Sequence, residues 1–436
     1  MSLTDIRRNN MKSISIAEWL PPYQTELGEA FEPYDSGYGN FTVSILGTTL
    51  AEFKAFVSAL TLNNGTVYAE NEIAGNLFGT YIFTDAGGEE MVAHLMYHPV
   101  VGNARIVYGK RGFLPTRDEK TYSSGSVRTA VMQYARGAAY NSQQATGAAG
   151  MAYIITLADG SFIVIDGGPR QKDEHFTKVF VDGEWIDGVP GEEQDCDKLY
   201  RLITERAPKG KKPVIAAWFI THAHGDHSDV AGDFLRKYKD EVDVKIAAYN
   251  LSDPLIHPTK NERNDILSNT LHHIVEGFKI AGATHWDIHS GQRMSFPGCE
   301  VEILHTHEDY APKPFAWCNH TSSAFRFRFK GKTFLVLGDC ESDICQLLAC
   351  KYGDYLKSNI LQVTHHGANG GSMALNMVVD PDICFWPIDA YRFHTDARML
   401  GFRHGYEYNW VLRNDEIRQR IHYHTSEDAE IFTDEI

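Results

Sequence analysis

Six residues, His222-Ala-His224-Gly-Asp226-His227, place three imidazoles and one carboxylate directly after the apolar run 214–220. Imidazole and carboxylate are ligands for zinc, iron or manganese, and a tight turn carrying four of them can face two adjacent ions. The same donor types recur downstream. His305 and His307 follow the run 301–304, Asn319 and His320 stand in Cys318-Asn-His-Thr-Ser-Ser323, Asp339 follows Gly338, and His365-His366-Gly367, Asp389 and His394 come later. Upstream, Phe162-Ile-Val-Ile165 runs into Asp166-Gly-Gly168. Glycine lets the backbone turn sharply beside that carboxylate, and Asp166 is a candidate to orient a metal ligand from behind.

These residues share a place in the surrounding pattern. Strand-like runs at 214–220, 301–304, 333–337, 359–364 and 383–386 each end in polar, ligand-capable residues, and repeated delivery at carboxyl ends builds a common rim. After the histidine cluster, Val230, Phe234, Leu235 and Tyr238 recur at helical spacing, with Ser228 as the expected N-cap. The run 324–329 alternates strictly, so Phe325, Phe327 and Phe329 share one face. An amphipathic pattern predicts one helix over 262–280, and the polar stretch 170–195 reads as an inserted hairpin or loop.

The first 120 residues read as a separate small α+β domain. It has an alternating strand at 41–46, a helix through Leu50, Phe53, Phe56, Val57 and Leu60, and strands at 77–84, 91–97 and 104–108. His94 and His98 read there as packing residues. The Gly, Pro and charge of 111–118 suit a linker, and the second domain spans 125–436. The first unit is expected either to overhang the site as a lid or to pair chains into a homo-oligomer.

Composition narrows the partners. Asp and Glu number 57 against 41 Lys and Arg, a net charge of −16, so the surface repels nucleic acid. Seven scattered cysteines with no Cys-x-x-Cys pair fit reduced thiols better than a disulfide framework. No signal-peptide pattern or membrane-span-length apolar run occurs, and the expectation is a cytoplasmic protein without membrane partners.

Taken together, Asp166-Gly-Gly, His222-Ala-His224-Gly-Asp226-His227, Gly338-Asp339 and His365-His366-Gly367 resemble the metallo-β-lactamase superfamily over about residues 127–410. Within it, Asn319 to Ser323, Gly338-Asp339 and His365-His366-Gly367 are most similar to the branch of competence-type DNA-uptake hydrolase domains and phosphorylcholine esterases. The resemblance implies an αββα sandwich with a dinuclear metal centre, usually zinc, with manganese or iron as alternatives. It implies that His222 and His224 bind the first ion, Asp226 and His227 the second, and Asp339 both. One of His365 and His366 would complete the second site while its neighbour faces substrate. Many members supply a third histidine to the first ion where this branch carries Asn; here either Asn319 or His320 takes that place.

Two divalent ions about 3.5–4 Å apart acidify a shared water and clamp the attacking and leaving oxygens. With neutral imidazoles, two carboxylates and a bridging hydroxide, about one net positive charge remains at the site. A small anionic substrate fits that charge, and a phosphoester, above all a phosphodiester, is the first expectation. Asp226 and His366 are the candidate catalytic residues, and the spare member of the 365/366 pair, or His394, is the candidate proton donor. Hydrolysis of a carboxylic ester, thioester, lactone or β-lactam in the same site is the alternative. A non-catalytic metal-binding module is a second. A flavodiiron-type redox centre fits less well, because that branch carries a carboxylate where His224 stands.

Overall fold

Alternation decides which face each strand buries. In the strand Phe162–Asp166, Ile163 and Ile165 enter one apolar cluster and Phe162 and Val164 another; in Val214–Phe219, Ala217 and Phe219 join the first and Trp218 the second, while a register irregularity between Ile215 and Ala217 puts Ile215 with Trp218. The computed structural model describes residues 11–32, 34–37, 39–134, 138–139, 150–169, 177–181, 184–187, 195–254, 257, 259–367, 370–388, 411, 414–425 and 428–436.

Two mixed sheets face each other across a shared core. The first runs in the order Thr284–Asp287, Ile246–Tyr249, Val214–Phe219, Phe162–Asp166, Ala152–Thr156, Ala130–Gln133, Ala429–Phe432, with Asp243–Val244 beside Val214–Phe219. The second runs Arg293–Phe296, Cys299–His305, Ala324–Arg328, Thr333–Val336, Ile360–Gln362, Ile383–Trp386, Ile421–His424. Phe325, Phe327 and Phe329 join Phe219, Trp286 and Phe334 between the sheets. Helices Asp195–Arg206 and Gly225–Lys237 cover the outer face of the first sheet, and Ser342–Tyr352 and Met373–Val379 that of the second. Among the described residues no helix is long and apolar enough to cross a membrane.

The N-terminal residues build a third sheet, antiparallel, with Asn40–Leu46, Asn103–Lys110, Glu90–His98, Asn76–Thr84 and Thr66–Ile73 in order and Tyr34–Gly37 beside Asn40–Leu46. One face packs on the helix Leu50–Leu62, which a Thr49/Glu52 capping box opens. The other face meets the sandwich, because Ile73, Phe78 and Met96 belong to the cluster under the helix Ser342–Tyr352. Gly291 lies at that contact with φ +88°, where a Cβ would strike the Phe78 ring.

Several elements differ from the sequence pattern. The helix after the histidines begins at Gly225 with His224 at its N-cap position, so Ser228 is inside the first turn, its hydroxyl donating to the His224 carbonyl at 3.0 Å. That early start brings Asp226 to the positive end of the helix dipole. The expected helix over 262–280 is a helix Lys260–Ser268, a π-helical stretch Asn269–Val275 and a helix Glu276–Ile280. The irregular stretch has a local use: Asn269 Nδ2 donates to the Ala223 carbonyl at 3.1 Å and ties down the histidine loop. Within 170–195, Thr177–Val181 and Glu184–Asp187 pair as an antiparallel hairpin. His394, Asp389 and the turn 141–149 lie outside the described residues.

Candidate metal centre

The carboxyl ends of four strands converge on one rim. Val214–Phe219 leads to His222, Phe162–Asp166 ends in Asp166, Thr333–Val336 leads to Asp339, and Ile360–Gln362 leads to His366. Gly338, at φ +54°, makes the turn into Asp339 possible, since a Cβ there would meet Thr221. Asp166, His365 and His366 are three of the six non-glycine residues with left-handed backbone among those described. Backbone strain of that kind is held in place only where the surroundings determine it, and here it gathers at the rim.

Two groups of donor atoms lie close enough to hold an ion: His222, His227 and Asp339, and Asp226, His227 and His366. His227 Nε2 is 3.3 Å from Asp339 Oδ1, and His366 Nε2 is 3.2 Å from Asp226 Oδ2 and 3.5 Å from Asp339 Oδ2. His227 Nε2, His366 Nε2 and Asp339 Oδ1 are buried, yet none forms a well-aligned hydrogen bond. Buried polar atoms left in this condition are costly, and divalent cations at the two groups would satisfy them. The donor set therefore fits a metal ion.

The far side of each imidazole sets its tautomer. His227 Nδ1 donates to Asp166 Oδ2 at 2.7 Å, and Asp166 also accepts from Thr221 N and Oγ1 at 2.8 and 2.7 Å. His366 Nδ1 donates to the Pro387 carbonyl at 2.8 Å. Both Nε2 lone pairs are thus turned toward the carboxylates. Ser322 Oγ accepts the Asp339 N–H at 3.1 Å and steadies the turn. Burial opposes charge on Asp339, but His227, His366 and His365 hold its carboxyl well below the ordinary range. Burial likewise opposes the His366 imidazolium, and Asp339 and Asp226 nevertheless push it up to about 9.

The other sequence candidates occupy distinct places. His224 Nδ1 lies 3.1 Å from His222 Nε2, at the edge of the first group. His365 stands aside from both groups, its Nε2 accepting from Asn319 Nδ2 at 3.1 Å and its Nδ1 3.5 Å from Glu341 Oε1. Asn319 also donates to Glu341 at 3.2 Å. His320 does not join either group: its Nδ1 accepts the Trp317 N–H at 3.3 Å and its Nε2 lies 3.7 Å from Asp343. The short 3-10 turn Cys318–Thr321 causes this divergence by sending neighbouring side chains to different sides. Glu341 escaped the sequence reading, although its position two residues after Asp339 was a usable signal. Burial, reinforced by Asp339, pushes its carboxyl up to about 7.

No family model matches the chain, and no curated protein does. Among solved structures, a variant of the β-hydroxylase CmlA aligns with TM-score 0.39 and 10% identity over 71% of this chain and 55% of its own. CmlA from Streptomyces venezuelae, a diiron β-hydroxylase, aligns with TM-score 0.36 and 11% identity over 70% and 54%. This chain thus spans about half the length of those two. A Parabacteroides distasonis protein named for an inferred metal-dependent hydrolase activity aligns with TM-score 0.27 and 15% identity over 67% and 98%. The chemistry is therefore read from the side chains themselves.

Proposed function

We propose that this chain is a dinuclear metal-dependent hydrolase of the metallo-β-lactamase superfamily acting on a small anionic phosphoester, foremost a phosphodiester. The observation that carries the reading is the pair of donor groups meeting at His227, with three buried atoms that lack hydrogen bonds. The two facing sheets with helices outside agree with an αββα sandwich, formed by residues 125–436 with residues 1–120 as an added unit.

His227 offers one lone pair and can serve one ion. Assigned with Asp226 and His366, it would complete one site, and His222 and Asp339, with His224 beside them, would hold the other. When bound, two divalent ions acidify water for attack and neutralise charge that builds on phosphoryl oxygens. The chain's own groups do the positioning. Asp166 and the Pro387 carbonyl keep two imidazoles in the ligand tautomer, while Asn319 and Glu341 hold the ring of His365, the candidate proton donor, beside them.

Elemental analysis of the purified chain, followed by a panel of chromogenic phosphodiesters and acyl esters, tests this. Two zinc ions per chain and phosphodiester turnover are expected. Turnover of acyl esters alone would overturn the substrate assignment, mostly iron would redirect the chemistry to redox, and absence of bound metal would remove the basis of the reading.

A further inference from the structure

Beside the metal centre stands a hydrogen-bonded relay that begins in the N-terminal sheet. Trp218 pairs with Ala247 and Phe219 with Ala248 in parallel register, so Asn250, beyond the end of one strand, is level with Thr221 beyond the other. Adjacent strands lie about 4.8 Å apart, which puts Asn250 one strand from His222 on the same rim. Asn250 Oδ1 is 2.7 Å from His307 Nε2, and His307 Nδ1 is 2.7 Å from the Tyr34 hydroxyl.

The donor directions along this relay are fixed. Asn250 Nδ2 donates to the Ile288 carbonyl at 2.8 Å, so the atom facing His307 is the amide oxygen, an acceptor. His307 must then carry its proton on Nε2. Burial lowers its pKa despite the adjoining Glu308, and the ring is neutral with a bare Nδ1. The Tyr34 hydroxyl has to donate to that nitrogen. Its proton is committed inward, and only oxygen lone pairs are left to offer. Glu308, Asp35 and Asp253 add negative charge around the phenol and, with burial, keep its proton on. Tyr34 is the one member of the relay that is only partly buried, since His307 and Asn250 are buried.

We propose that Tyr34 is a specificity-determining residue that accepts a hydrogen bond from the substrate, so the preferred phosphoester carries a hydroxyl on its organic arm. This rests on the hydrolase reading and narrows its substrate class. A phosphoryl oxygen, being an acceptor, gains nothing from Tyr34, and an arm without a donor leaves the phenol oxygen unpaired.

The test uses the zinc-loaded chain and two chromogenic 4-nitrophenyl phosphodiesters, one with a 4-hydroxybutyl arm, whose hydroxyl is too remote for ready attack on its own phosphorus, and one with an n-butyl arm. The wild-type chain should favour the hydroxybutyl ester in kcat/KM by about three- to tenfold, the range of one hydrogen bond. Tyr34→Phe should bring the ratio close to one with metal content unchanged. Because the readout is a ratio within one protein, general loss of stability or of active fraction cancels. Equal turnover of the two esters by the wild type, or a preference that survives in Tyr34→Phe, overturns the proposal alone. Turnover of neither ester by the wild type overturns the hydrolase reading and this proposal together.

Discussion

Asp166 accepts the Nδ1 proton of His227 at 2.7 Å, and the Nε2 lone pair of the same ring consequently looks toward Asp339 at 3.3 Å. One carboxylate that touches no other candidate ligand directs the central imidazole of the site. Asp166→Asn, which tolerates the left-handed backbone there, can present a donor to His227 and favour the wrong tautomer. Metal affinity should fall about 10–100-fold, measurable by competition with a chromogenic chelator.

His365 and His366 are adjacent but inequivalent. His366→Ala should lose about one metal ion per chain, because its Nε2 lies 3.2 and 3.5 Å from Asp226 and Asp339. His365→Ala should keep both ions and lower kcat, by about 10²-fold if it supplies a proton to the leaving group. Elemental analysis of the two variants beside their kinetics checks the division.

Metal and fold should be linked at Asp339, whose Oδ1 is buried without a hydrogen bond. Free zinc at about 100 times its dissociation constant should stabilise the wild type by about 2.7 kcal/mol per site, seen as a rise in melting temperature that a chelator reverses. Asp339→Ala should show little of that response and little turnover.

The N-terminal sheet is fastened to the sandwich by buried charge. Arg105 reaches Asp309, which also meets Lys351 at 2.9 Å and accepts the Thr306 N–H at 3.0 Å. Arg105→Met leaves Asp309 to Lys351 and should cost about 1.5–3 kcal/mol in urea unfolding. Deleting residues 1–120 should give an unstable chain rather than an active core, since it uncovers Asp309 and Ser290 together with the apolar cluster that Phe78 and Met96 complete.

A pH dependence follows from His289, set between Glu308 at 3.0 Å and Asp287 at 3.4 Å. Burial disfavours its charge, yet Glu308 and Asp287 push it up to about 10; burial raises Glu308, yet His289 brings it down to about 2. The unfolded values are about 6.5 and 4.3. The raised histidine stabilises fully below about 6.5 and loses its effect as pH climbs toward 10; the depressed carboxylate stabilises fully above about 4.3 and loses its effect as pH falls toward 2. Urea midpoints should therefore decline from pH 6 to pH 10, and His289→Gln should flatten that decline.

Much of the scaffold was legible in the order of residues, because alternation and turn chemistry act over a few positions. Phe325, Phe327 and Phe329 announced the inner face of a sheet, and the runs ending at His222, Asp339 and His365 announced a common rim. The donor types likewise announced a metal site. What the order of residues could not decide is which neighbour turns inward. His365 and His366 both take left-handed backbone, so strand alternation does not apply to them, and the short turn at Cys318–Thr321 points His320 away from Asn319. Ser228 satisfied the local rule for an N-cap, but the bond from Asn269 to the histidine loop and the packing around it set the helix start at Gly225. The same holds for the N-terminal residues. Their strands were readable one at a time, whereas the contacts of Tyr34 with His307 and of Arg105 with Asp309 join positions more than two hundred residues apart, and only the packing of one sheet against another brings such groups together.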